Sequence, residues 1–127
     1  MKIVLDTYAW IEYFKGSEAG KKANQILESQ ENEIFTSIMS IAEISSKLIR
    51  ENSDVELPYK IITNLSKIYG INLEFSKEVG ILHADIRKKI KDFGLIDSII
   101  LLTTRKLDAK ILTGDPHFKG FKETILI

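Results

Sequence analysis

Short apolar runs that stop at a polar residue alternate with stretches of helical periodicity along this chain, and that alternation constrains the fold more than any other feature. Lys2 to Leu5 is a largely β-branched run ending at Asp6, the pattern of a buried strand. A helix is expected from Tyr8 to about Lys15, where Gly16 stops it, and a second from the cap candidate Ser17 to about Ser29. Glu33 to Thr36 predicts a second strand. Ser37 is placed to cap a helix from Ile38 to about Arg50, in which Ile38, Ile41, Ala42, Ser45, Leu48 and Ile49 form a stripe. Pro58 suits the first turn of a helix reaching Tyr69 and closed by Gly70, with a third strand at Ile71 to Leu73. A long helix from Ser76 to about Phe93 is expected to break at Gly94, and another to run from Asp97 to Leu107. Strands at Lys110 to Thr113 and at Thr124 to Ile127 complete the pattern. Alternating strands and helices call for a largely parallel sheet covered by helices, hence an α/β fold. No repeat or linker divides residues 1–127, so a single domain is expected.

Composition narrows the chemistry. There is no cysteine, which excludes a disulfide framework, a thiolate nucleophile and a cysteine-based zinc site. Eighteen Lys plus Arg balance 18 Asp plus Glu, so a nucleic-acid binder of this composition needs a local basic patch or a bound cation rather than bulk positive charge. Only Lys2 and three apolar residues follow Met1 before Asp6, and no apolar run reaches membrane-spanning length. A cytoplasmic protein without membrane contact is expected.

In open parallel sheets, ligands gather beyond the carboxyl ends of the strands. Asp6 follows the first expected strand and Asp115 the fourth, so chain direction puts both on one edge if the strands share a parallel sheet. Asp97 stands where a helix is expected to begin. Each acid also has a purely structural reading: Asp6 and Asp97 suit helix N-caps, and Asp115 before Pro116 suits a turn. Glu43 falls off the apolar stripe of its helix, toward Lys47 and Arg50, as a solvated side chain would. The set says more than its members. Carboxylates converging on one cleft raise one another's pKa unless a cation compensates. Hard oxygen donors favour Mg²⁺ or Mn²⁺ over zinc, and such ions serve displacement by water at phosphorus.

Four strings carrying these acids resemble a known family. Val4-Leu5-Asp6-Thr7-Tyr8-Ala9-Trp10-Ile11 resembles the opening of PIN domains, and Ser37-Ile38-Met39-Ser40-Ile41-Ala42-Glu43-Ile44 is similar to their second motif. Leu95-Ile96-Asp97-Ser98-Ile99-Ile100 looks like the third, and Ile111-Leu112-Thr113-Gly114-Asp115-Pro116-His117-Phe118 like the fourth. Short strings of this kind are individually common, but all four in order span the whole chain. The resemblance implies a three-layer α/β/α sandwich around a central, mostly parallel sheet. It further implies a Mg²⁺- or Mn²⁺-dependent endoribonuclease of the VapC-like toxin branch, which cleaves RNA with metal-activated water. A small antitoxin partner and a homodimer come with that branch. By the same resemblance, Asp6, Glu43, Asp97 and Asp115 are the catalytic, metal-holding quartet. Thr113 matches a hydroxyl residue that supports the site, and Thr7 follows the first acid.

The chain departs from the family pattern twice. Tyr8 stands where relatives often carry a small polar residue, and His117 stands where they often place a further acid two residues after Asp115. His117 is therefore a supporting candidate beside the site, while His83 reads as structural. Arg87, Lys88, Lys89 and Lys91 form a basic cluster on the helix expected before Asp97; it is either a solvated face or a rim that positions phosphate, with Arg87 the first candidate. Trp10, Tyr13 and Phe14 suit core packing, base stacking or an interface. Two rival functions stay open: a PIN-like module that binds RNA or a partner without cutting, and a phosphoryl-transfer enzyme with Asp6 as nucleophile. The latter needs a second acid two residues on, where Tyr8 stands.

Overall fold

In the computed structural model, which describes residues 1–127, side chains along the central strand β1 (Lys2–Leu5) alternate between two cores. Ile3 and Leu5 face one core and Val4 the other, and all three are buried. The neighbouring strands β2 (Glu33–Ser37) and β4 (Lys110–Thr113) repeat the pattern: Ile34 and Leu112 face one way, Phe35 and Ile111 the other. A sheet apolar on both faces must be covered on both. Helices α1 (Thr7–Lys15), α2 (Glu18–Glu28), α3 (Ile38–Arg50) and α4 (Glu56–Leu65) contribute Trp10, Ala23, Ile44 and Ile62 to the first core. On the other face, α6 (Leu95–Leu107) supplies Ile100 and Leu101, and Val79 of α5 (Leu73–Ile86) packs with Ile99. With β3 (Lys67–Tyr69) and β5 (Thr124–Leu126) the five strands form one sheet in the order β3-β2-β1-β4-β5, and every pairing is parallel. This is the expected α/β/α sandwich. No helix is long and apolar enough to cross a membrane.

Two stretches differ from the sequence expectation. The helix predicted to reach Tyr69 ends at Leu65, and the third strand is Lys67–Tyr69, not Ile71 to Leu73. The cause is Ser66, which takes extended backbone (φ −139°, ψ 157°) and donates its hydroxyl to the Ile62 carbonyl at 2.7 Å. Lys67 to Tyr69 then pair with Phe35 to Ser37. Asn72 accepts from the Phe75 N–H at 2.8 Å and so starts α5 at Leu73. The second difference is the end of α5, which stops at Ile86 instead of Phe93. Turns take over at residues 87–89 and 91–92, and they carry the chain to Phe93, which is fully buried against Phe118 and Phe121.

The aromatic run of α1 belongs to the core. Trp10 is fully buried, stacks on Phe14 at 5.9 Å and meets Tyr13 edge-on at 5.7 Å. Its indole N–H donates to the Thr36 hydroxyl at 3.0 Å, which is 2.7 Å from the Ser66 hydroxyl. Because a hydroxyl carries one proton and that of Ser66 goes to Ile62, Thr36 is the donor to Ser66.

Helices α1 and α2 touch at Gly20, where a Cβ would lie 2.0 Å from the Glu12 carbonyl oxygen. Replacing a helical glycine by alanine ordinarily stabilises by about 1 kcal/mol, but here the obstacle is backbone. Overpacking decides the sign. Gly20→Ala is expected to lower stability by roughly 2 kcal/mol, read from the urea midpoint at unchanged slope; a stabilised variant would contradict this packing.

Candidate functional site

The strand order reverses beside β1: β2 lies on one side and β4 on the other. Such a switch point opens a crevice at the carboxyl ends of the strands, and the register Leu5↔Leu112 delivers Asp6 and Thr113 there together. Asp6 is only 5% exposed. Its Oδ1 accepts the Ala9 N–H at 2.9 Å, capping α1, and its Oδ2 accepts the Thr113 hydroxyl. The Thr113 oxygen in turn accepts the Asp115 N–H at 2.9 Å, so one threonine ties the two acidic positions together.

The other acids arrive from separate elements. Asp115 caps the short 3₁₀ turn Pro116–Phe118 and accepts the His117 N–H at 2.9 Å. Asp97 is the third residue of α6, not its cap; Gly94 holds the cap position and donates its N–H to the Asp97 carboxylate at 3.0 Å. The expected N-cap role of Asp97 is therefore corrected, because residues 95 and 96 already lie in the helix. Glu43 projects from α3 and is solvent-exposed, as its place on the helical wheel suggests, yet the Thr7 hydroxyl donates to its Oε1 at 2.7 Å. That bond holds Glu43 to the residue that follows Asp6. All four acids line one cleft of about 350 Å³.

Electrostatics mark this cleft. Burial pushes the Asp6 carboxyl up to about 7; the Thr113 and Ala9 hydrogen bonds oppose that rise, and the charges of Asp115 and Asp97 add to it. Burial likewise raises Asp97, again with Asp115 adding to the rise. Carboxylates crowded in this way are short of positive charge. Asp97, Asp115 and His117 each bring a ligand atom to within 4.8 Å of the other two. The donors facing the cleft are mostly carboxylate oxygens, a set that fits Mg²⁺ or Mn²⁺.

His117 bridges two carboxylates. Its Nδ1 lies 2.8 Å from Asp115 Oδ1 and its Nε2 lies 2.9 Å from Asp92 Oδ2. The Asp92 hydrogen bond raises the imidazole pKa, and the nearby Asp115 charge adds to it. Arg87, by contrast, does not line the cleft. It caps the C-terminus of α5, with Lys88, Lys89 and Lys91 in the turns beyond, so the basic cluster is not a helical face. Arg87 reaches the site only through Asp92, whose carboxyl its charge helps keep acidic after the larger effect of the His117 bond. The cations that do line the cleft are Lys15 and Lys47. Sequence reasoning passed over both, though the signal was present. Lys47 lies one helical turn from Glu43, and Tyr8, Ile11, Glu12 and Lys15 recur at helical spacing after Asp6.

The chain belongs to the PIN-domain family, whose profile matches residues 3–123. Similar folds occur in VapC toxins and in toxin–antitoxin complexes. VapC20 of Mycobacterium tuberculosis, a sarcin–ricin-loop-cleaving toxin, aligns with TM-score 0.75 at 16% identity, over 95% of this chain and 97% of that one. VapBC2 from Rickettsia felis, bound to a DNA fragment from its promoter, gives 0.73 at 18% identity, over 100% and 98%. A toxin–antitoxin complex from Klebsiella pneumoniae gives 0.69 at 21% identity, over 97% and 95%. At such identities the likeness is one of fold. No curated protein matches the sequence.

A stability measurement follows from Asp6. Folded, this carboxyl keeps its proton to about pH 7, whereas its ordinary value is 3.8. The folded state therefore holds the extra proton between those limits, and stability falls as pH rises from about 4 to about 7. In EDTA the wild type is expected to lose stability across that window. Asp6→Asn keeps an oxygen for Ala9 but cannot ionise, so it should lose less stability there, the remainder coming from the raised Asp97 and His117, and be more stable above pH 7 by roughly 2–4 kcal/mol. Parallel pH profiles for the two proteins would show that Asp6 is not the strained group.

Proposed function

We propose that this chain is a Mg²⁺- or Mn²⁺-dependent endoribonuclease, acting in the cytoplasm as the toxin of a toxin–antitoxin pair. The observation that carries the proposal is the convergence of Asp6, Glu43, Asp97 and Asp115 on one cleft, with Asp6 destabilised as an anion until a cation joins it. Family membership and the fold shared with an RNA-cleaving toxin support RNA as substrate. Two similar folds come from toxin–antitoxin systems, which supports a small protein partner. Apolar side chains left in water on α5 (Leu73 and Ile81) and at the start of α6 (Leu95) support a homodimer or another covering surface.

Asp6, Asp97 and Asp115 would hold the ion, and Glu43, fixed by Thr7, would complete the acidic wall. When bound, the divalent ion supplies Lewis-acid stabilisation of charge at phosphorus and a deprotonated water as nucleophile. Thr113 holds Asp6 and the Asp115 backbone in register, and His117 holds the Asp115 carboxylate from the outer side. Lys15 and Lys47 offer positive charge where an RNA phosphate would approach the acidic cleft.

One observation favours a second reading, a PIN-like module that binds RNA or protein without cutting. His117 already occupies an Asp115 oxygen, where relatives often carry a further acid. Cleavage of RNA by the wild type and by Asp97→Asn, each in Mg²⁺, Mn²⁺ or EDTA, decides between them. The expected result is metal-dependent cleavage that falls roughly 100-fold or more in the variant. Equal activity of the two proteins would remove the catalytic assignment, and no divalent binding up to millimolar concentration would favour the non-cutting module. Mg²⁺ or Mn²⁺ is also expected to raise the melting temperature of the wild type above pH 7, and to do so much less for Asp6→Asn.

A further inference from the structure

Tyr8 belongs to neither apolar core of the molecule. It is the second residue of α1, it lines the acidic cleft, and 39% of it remains in water. Its neighbours on that helix behave otherwise: Ala9, Trp10 and Ile11 are buried. The ring is nevertheless held in place. Gly114 lies so close that a Cβ there would fall 2.2 Å from Tyr8 Cε1 and 2.5 Å from Cζ. Gly114 sits between Thr113, which bonds Asp6, and Asp115. The ring is thus seated on the backbone of the loop that carries the acids.

We infer that Tyr8 is a stacking platform for a nucleobase next to the phosphate held at the acidic cleft. This rests on the ribonuclease reading above. An exposed aromatic face is a general receptor for bases, because every base has a π surface. A platform works best when its position is fixed in advance, as the Gly114 contact fixes this one. The remaining cleft lining divides suitably, with carboxylates for the ion and Lys15 and Lys47 for phosphate charge.

The test separates stacking from simple coverage of Gly114. In an Asp97→Asn background, which blocks cutting, the affinity for a short single-stranded oligoribonucleotide is measured in Mg²⁺ with one abasic ribose placed at each position in turn. With Tyr8 present, one position should cost about tenfold in Kd. Tyr8→Phe, which keeps the π face, should show the same penalty at that position. Tyr8→Leu, which still covers Gly114, should bind the intact oligonucleotide about tenfold more weakly and lose the abasic penalty. An unchanged penalty in Tyr8→Leu, or no sensitive position with Tyr8 present, would overturn the platform. Cleavage by the protein with Asp97 intact is scored separately. If it cuts nothing while the Tyr8-dependent penalty persists, the ribonuclease reading falls and the platform stands.

Discussion

Pairing of β1 with β4 is the constraint on which the rest of the molecule depends. Parallel strands present the same end to solvent, so residues that follow each strand meet at one edge without any long-range adjustment of side chains. Here that edge receives Asp6 and Thr113, and the hydrogen bond between them closes the junction. The threonine also holds the Asp115 amide, so the first and last of the four cleft acids, 109 positions apart by number, share one hydroxyl. Asp6 meanwhile caps α1, which begins immediately after it. Helix start, strand pairing and acidic site are set by the same few atoms.

The electrostatic cost follows from that arrangement. A carboxylate almost closed to water and flanked by two others is a poor anion, which the raised Asp6 and Asp97 values express. The protein relieves part of the crowding on the outer side, where His117 stands between Asp115 and the exposed Asp92. The inner side has no such neighbour. Lys15 and Lys47 line the rim but are turned to Glu12 and Glu51 as ion pairs at 3.8 and 3.1 Å. The Lys47–Glu51 pair is exposed and therefore weak, whereas Glu12 is largely covered.

How much of this could be read from the sequence depended on whether a residue's placement was local. Asp6 and Asp115 were legible because each directly follows a strand, and strand direction alone fixes their edge. Ser17 and Ser37 were legible as caps, and both accept the expected backbone N–H bonds. Glu43 was legible only through resemblance, since its wheel position points to water and the Thr7 bond depends on how α1 packs near α3. The third strand was lost because Ile61, Ile62 and Leu65 carry helical spacing toward Ile68 and Tyr69, and nothing local announces that Ser66 will turn back on Ile62. Arg87 was misplaced for a related reason: the apolar line through Leu82, Ile86 and Ile90 runs past the true helix end, and Ile90 meets the core from a turn.

The hydrogen-bond chain through the first core has a reach that its small size conceals. It passes from the Trp10 indole to Thr36, from Thr36 to Ser66 and from Ser66 to the Ile62 carbonyl, so it begins on the helix that walls the cleft and ends where α4 stops. The last turn of α4 and the start of the edge strand β3 are consequently tied to an indole on another helix of the same layer. A change to α1 at that indole is felt at the border of the sheet, although nothing in the chain order joins the two places.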